Sequence, residues 1–280
     1  MPVFSDLALA RRLEAAEGFA CAQYALARLQ LFPDRGSQAV RIAGADVVYD
    51  GVDAPTTQTF GLGLFEEPTA ENLSRIEKFF EGRGAPVLHE VSPFAGTSTF
   101  ELLCQLGYSP IEISSVLYRS PAAEDADFSA GLPGDRAIKV REIGPEEAAL
   151  WTDISTRGWT HDHPEFTAFM REFGRVLTAR EGTVCFLAES DGAPGAAGSL
   201  AIHGGVALFA GATTVPELRR HGLQTALVQS RMQWARKHDC DLAMMVAEVG
   251  SNSQRNAQRA GFEIAYTRMK WKKQPPASSL

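Results

Sequence analysis

The 280-residue chain has little cysteine: Cys21, Cys104, Cys185 and Cys240 lie far apart and form no C-x-x-C pair. That spacing excludes a zinc ribbon and gives no sign of a disulfide framework, so a reducing, cytoplasmic setting and no metal are expected. Cys104 and Cys185 stand in apolar stretches and read as small core residues. Long apolar runs are also missing, and none approaches the ~20 residues of a membrane helix. The N-terminal stretch carries acidic residues where a secretory signal needs its apolar region. A soluble chain with no membrane partner is expected. Positive charge is in deficit, with 27 Lys+Arg against 34 Asp+Glu and a net charge of −7. That is the wrong sign for sequence-independent nucleic-acid binding. What remains, 45% hydrophobic and 22% charged with 25 Gly and 15 Pro, is an ordinary globular composition. The length suits two domains, since single cores rarely grow past about 250 residues.

An internal repeat organises the chain. Residues 85–119 read as apolar strand, short helix, Gly-aromatic turn and alternating strand, and residues 240–271 repeat that order. Gly107-Tyr108 and Gly261-Phe262 are 154 residues apart. The same offset lays the helix after Thr69 on the helix that starts at Leu223, with Leu73 on Leu227 and Phe80 on Trp234. The expected fold is α/β (α+β): two copies of one mixed-sheet unit with flanking helices. The expected bounds are a first domain over 1–122, a Pro/Gly/Ala-rich linker over 123–136, a second domain over 137–273, and a tail over 274–280.

The second copy carries the chemical signal. After a strand ending near Thr214 comes VPELRRHGLQTAL, with a helix starting at Leu223. A glycine turn at a helix N-terminus points unpaired N–H groups at one spot, and the helix dipole makes that spot positive. Arg219, Arg220 and a protonated His221 add charge, and Gly222 permits positive φ or close backbone approach. Such a turn suits a phosphate or pyrophosphate; it is also an ordinary surface cap, and these residues alone leave both readings open.

This order of strand, R-R-H-G-x-Q-T-A-L, helix, strand and N-A-x-R-A-G-F resembles the GNAT superfamily of N-acetyltransferases. The resemblance covers 137–273 well and 85–119 in outline. It implies acetyl transfer from acetyl-coenzyme A, a co-substrate whose pyrophosphate an R/Q-x-x-G-x-G/A loop holds. Arg219 and Gly222 match that loop, while Gln224 replaces its second small residue. By resemblance, Arg220, His221, Gly222, Gln224 and Thr225 form the cradle. The backbone of Thr214 and Val215 would pair with the pantetheine arm, and Asn256 reaches the coenzyme or is an ordinary exposed helical residue. In the first copy the offset puts Glu66, Glu67 and Pro68 where the second has Arg220, His221 and Gly222, so a single coenzyme site per chain is expected.

For the reaction itself, Glu248 ends the apolar strand LAMMVAE and is the candidate general base; its other reading is a strand-end carboxylate in solvent. The family's usual thiolate-protonating tyrosine, four residues before the Gly-Phe glycine, is replaced by Ala257. Trp159, His161 and Asp162, with neighbouring His163, lie where relatives line the acceptor pocket, and they read equally as loop polarity with a helix cap. Two fused halves favour a small-molecule amine as acceptor. A coenzyme-binding sensor without turnover is the rival reading. The sequence does not give the oligomeric state.

Overall fold

The computed structural model describes residues 4–122, 137–161 and 163–275. The proposed linker and the end of the tail lie outside them, as does Asp162. The described chain is mixed α/β and divides by contact into two compact units. The first holds 1–117, 246–255 and 263–280; the second holds 118–245 and 256–262.

In the first unit, α1 (Leu7–Leu31) starts at Asp6, whose carboxylate accepts from the Leu9 N–H at 2.8 Å. It packs on the antiparallel strands β1 (Gln38–Ile42), β2 (Ala45–Tyr49) and β3 (Gln58–Phe60). Gly18 is what lets it lie close, because a Cβ there would strike Asp46 and Phe60. α2 (Ala70–Glu81) follows, with Leu73, Ile76 and Phe80 facing inward. Then come β4 (Leu88–Val91), α3 (Thr97–Gln105) and β5 (Tyr108–Arg119).

The second unit begins with β6 (Ile138–Glu142), α4 (Ala148–Thr160) and α5 (Thr167–Ala179). An antiparallel meander follows, β7 (Thr183–Ser190), β8 (Ala193–His203) and β9 (Val206–Thr214), turning at Asp191-Gly192 and Gly204-Gly205 as the sequence pattern suggests. α6 (Leu223–Lys237), β10 (Leu242–Glu248), α7 (Asn252–Arg259) and β11 (Glu263–Lys273) complete the chain. The repeated glycines do the same job in both copies: Gly107 at φ 79° and Gly261 at φ 76° end α3 and α7 in the left-handed region that favours glycine.

The last strand does not go with the elements that precede it. β11 lies between β4 and β5 in the first unit, antiparallel to β4 with Met269 opposite Val91 and Trp271 opposite His89. The last residues of β5 count with the second unit, where Arg119 donates to the Ala260 carbonyl at 2.8 Å. A division of the chain at 137–273 therefore follows sequence order and not contact. Cys185 is buried and Cys240 also, but Cys104 is exposed on α3; the expectation of a core residue there is corrected, since the α3 face that packs inward carries Thr99 and Leu103.

β11 is held by charge as well as by its ladder. Arg268 is buried and donates to Glu14 at 2.9 Å and to Glu17 at 2.6 and 2.9 Å, and it lies 3.2 Å from Glu90. Tyr266 donates to the other Glu14 oxygen at 3.0 Å. Burial, only partly offset by Arg268, pushes the Glu14 carboxyl up to about 7. A carboxyl raised on folding binds more protons in the folded state between its unfolded value and about 7. Stability from this group is therefore greatest in acid and lost as pH rises towards 7. We expect Glu14→Gln to remove a fall on the order of 2 kcal/mol between pH 5 and 8. Urea titrations at both pH values check this, and equal slopes with pH in both proteins refute it.

Candidate functional site

The site is built on β9. Its parallel ladder with β10 covers Val206–Leu242, Ala207–Ala243 and Leu208–Met244. Past Leu208, residues 209–214 have no β10 partner, while pairing with β8 continues to Ala196–Thr214. One edge of β9 thus carries open backbone groups, a template for an extended ligand chain. Partway along, the register jumps from Ser199–Ala210 to Ala197–Thr213, and Gly211 sits at φ 61°. The extra residue makes a β-bulge that re-aims the backbone at the open edge. Its trace in the sequence is the glycine inside FAGATT.

α4 presses on this bulge. The room above Gly211 is closed by Trp151 and Leu177, and a Cβ at Gly158 would collide with Thr213. Trp151 is fixed by its indole N–H, which reaches the carbonyls of Phe186 and Gly198 at 3.1 and 3.3 Å. Gly158 and Thr213 are therefore part of the site's frame, though neither belongs to a motif that marks them in sequence.

The chain then turns into α6. Pro216–Leu218 forms a single tight turn, and Arg220 (φ 66°) and Gly222 (φ 84°) are both left-handed. Holding a non-glycine residue there costs roughly 1–2 kcal/mol, a strain usually retained where function requires the geometry. No side chain caps α6. Its first helical bond runs from the Ala226 N–H to the Gly222 carbonyl at 3.0 Å, so the N–H groups of Leu223, Gln224 and Thr225 have no acceptor within the helix. With the helix dipole they form an anion-binding end, which exposed Arg220 and half-buried His221 flank.

Two residues expected at the coenzyme have other engagements. The Val215 N–H donates to the Gly195 carbonyl at 2.9 Å and its own carbonyl accepts from Leu218, so Val215 has no free donor for an added strand. Arg219 ties the loop to its neighbours, donating to the carbonyls of Thr214 at 3.3 Å and Gly158 at 3.1 Å. Arg157 of α4 pairs with Glu217 on the same loop. These contacts tie the turn to α4 and to the end of β9.

The corresponding turn in the first unit is closed. Thr69 caps α2 in a reciprocal box, accepting from the Asn72 N–H at 3.2 Å while Asn72 Oδ1 accepts from the Thr69 N–H at 3.0 Å. Glu66 and Glu67 stand exposed just before it. The capping box gives α2 a side-chain acceptor for its Asn72 N–H behind two acidic residues, whereas α6 has no side-chain cap and follows two arginines.

The remaining candidates are placed as follows. Trp159 is exposed near the end of α4, and His161 and His163 follow it in solvent, His163 lying 3.2 Å from Glu165. Asn256 is exposed on α7, and Ala257 is buried beside it. Glu248 is exposed at the end of β10, and by its contacts it goes with the first unit. Among the described residues there is no cluster of His, Cys, Asp or Glu fit to hold a metal, and no helix long and apolar enough to cross a membrane.

Residues 148–262 match the model of the Acetyltransferase (GNAT) family. No curated protein matches the chain. Among solved structures, a GCN5-related N-acetyltransferase from Kribbella flavida is similar over 92% of this chain and 97% of its own, at 18% identity and a TM-score of 0.63. A tandem GNAT protein from the clavulanic acid biosynthesis pathway is similar over 83% of this chain and 79% of its own, at 15% identity and a TM-score of 0.57. A GCN5-related N-acetyltransferase from Sphaerobacter thermophilus covers 94% and is itself covered over 92%, at 14% identity and a TM-score of 0.54. At these identities the likeness is one of fold.

Proposed function

We propose that the protein is an N-acetyltransferase that moves an acetyl group from acetyl-coenzyme A to the amine of a small molecule, a reading supported by the match of residues 148–262 to the GNAT family model. The observation that carries this reading is the uncapped, glycine-led N-terminus of α6 at the end of a strand with an open edge. The pyrophosphate would lie on the N–H groups of Leu223, Gln224 and Thr225, with Arg220 and His221 beside it. The pantetheine arm would run back along β9 from Thr214, placing the thioester near the bulge at Gly211. There a backbone N–H turned out of the ladder is suited to hold the oxyanion as the amine attacks. Trp159 and His161, exposed at the end of α4, would meet the acceptor, and Asn256 would touch the coenzyme from α7.

Calorimetric titration with acetyl-coenzyme A tests the reading. One site per chain is expected, given the capped and acidic turn at Thr69 in the first unit. Two sites would contradict the silent first copy, and no heat of binding would remove the coenzyme assignment. Glu248 is the proposed base, so Glu248→Gln should lower kcat at least ~10-fold with coenzyme affinity unchanged. An unaltered kcat would take Glu248 out of the mechanism.

A second reading, a coenzyme-binding sensor without turnover, is favoured by one observation. Ala257 occupies the place of the family's thiolate-protonating tyrosine and is buried against the core, with no polar group to offer. Release of free thiol in an amine screen separates the two.

A further inference from the structure

Arg231 of α6 has no part in the site described so far. Its side chain is 1% exposed. The guanidinium donates to the carbonyls of Leu227 and Ser199, each at 3.2 Å, and lies 4.6 Å from the centre of the Phe209 ring. It also fills the space over Gly198, where a Cβ would sit 3.4 Å from its central carbon. Among the described residues no carboxylate pairs with it. On the strands beneath α6, Glu189 of β7 is held by Arg141 at 2.8 Å, and burial pushes the Cys185 thiol up to about 12, so it stays neutral. A buried charge is almost always paired, because taking it out of water is costly. Burial lowers the pKa of Arg231 to about 9, so it is a cation near neutral pH and loses its charge in alkali.

Its position gives the charge a use. Phe209 is the first residue of β9 beyond the ladder with β10, and its other neighbour is Phe262, at 5.9 Å. Arg231 thus stacks on the side chain of the residue that follows the last paired position of the two strands. In the coenzyme reading proposed above, on which this inference rests, the thioester sulfur comes to that position. We propose that Arg231 is a positioning residue that supplies, across the Phe209 ring, the counter-charge for the departing coenzyme thiolate. The amine nitrogen bonds to the carbonyl carbon and the π pair moves to oxygen. Collapse re-forms the carbonyl and breaks the C–S bond, leaving that pair on sulfur, while the ammonium proton passes to the base proposed above, Glu248. No acid need protonate sulfur, which accounts for Ala257 in the tyrosine's place. A fixed cation in a dry interior is worth more to a new anion than one in water.

The test reads the bound thiol directly. Dissociation constants for coenzyme A and acetyl-coenzyme A are measured from about pH 6 to about pH 8.5, where Arg231 keeps its charge, for the wild type and for Arg231→Gln, whose amide can still donate to Ser199. The two ligands differ at sulfur, so their ratio reports thiol ionisation. In the wild type, coenzyme A should tighten relative to acetyl-coenzyme A as pH rises, with a bound-thiol pKa below that of free coenzyme A. In Arg231→Gln that pKa should rise by about one unit, a loss of up to about tenfold in the ratio at the top of that pH range. Superimposable curves overturn the proposal. So does an equal loss of both ligands, which is what a purely bracing role would give. If the variant does not fold, the wild type alone decides: a bound-thiol pKa at or above that of free coenzyme A overturns it. Absence of binding of either ligand to the wild type overturns the coenzyme reading itself, a result distinct from the others.

Discussion

Gly222→Glu is expected to weaken acetyl-coenzyme A binding by more than ~100-fold, about 2.7 kcal/mol, while the protein stays folded. Two effects add. A side chain at φ 84° forces a non-glycine residue into the left-handed region, at roughly 1–2 kcal/mol. Its carboxylate then stands at the mouth of the three N–H groups of Leu223, Gln224 and Thr225, satisfying them internally and repelling a pyrophosphate. The result would imitate the first unit, where Glu66, Glu67 and the Thr69 cap do the same. Gly222→Ala carries the strain without the charge and should lose only a few-fold. Calorimetry on both variants, with thermal melts as a control, separates strain from charge. Unchanged affinity in Gly222→Glu would falsify the cradle.

The second large effect is on stability. Arg268→Ala leaves Glu14, Glu17 and Glu90 facing one another in the first unit without their guanidinium, and strips Ser114 of its donor. Breaking a buried ion network by removing one partner costs about 3–5 kcal/mol, because the remaining charges stay desolvated. Lys270, 3.4 Å from Glu90, neutralises only part of the residue. The loss should be larger at pH 8 than at pH 5, since Glu14 can take up a proton in acid. Adding Glu14→Gln should recover part of it, by removing one of the stranded carboxylates. Urea unfolding of the single and double variants measures both. A loss below about 1 kcal/mol at pH 8 would mean that the ladder with β4, and not the charge, holds β11.

The two predictions fall on residues of very different legibility. The turn before α6 is readable because it is local: a strand, a basic turn, a glycine and a helix follow one another in the chain. Thr69 was readable for the same reason, and so was the repeat, whose paired glycines take the same φ 154 residues apart. What local pattern could not show is which groups were already in use. Arg219 reads as a coenzyme ligand in sequence, and in the fold its guanidinium also donates to the carbonyls of Thr214 and of Gly158, some 60 positions away. Val215 looked like open strand, yet Gly195 takes its N–H. Cys104 reads as apolar by its neighbours and is nonetheless exposed, because helix phase and not local composition decides burial.

The sequence by itself determined the repeat, the elements it aligns over 69–119 and 223–271, and the basic glycine turn before α6, all of which rest on periodicity, glycine conformational freedom and helix ends within a few residues. Tertiary structure alone decided that β11 completes the first unit, that Glu14 meets Arg268 across 254 positions, that β9 bulges at Gly211 under Trp151, and that Arg231 is buried with no carboxylate partner among the described residues. The physical reason is that strand pairing and ion pairing are satisfied by any partner of the right geometry. The chain's order does not name that partner until packing brings the two together.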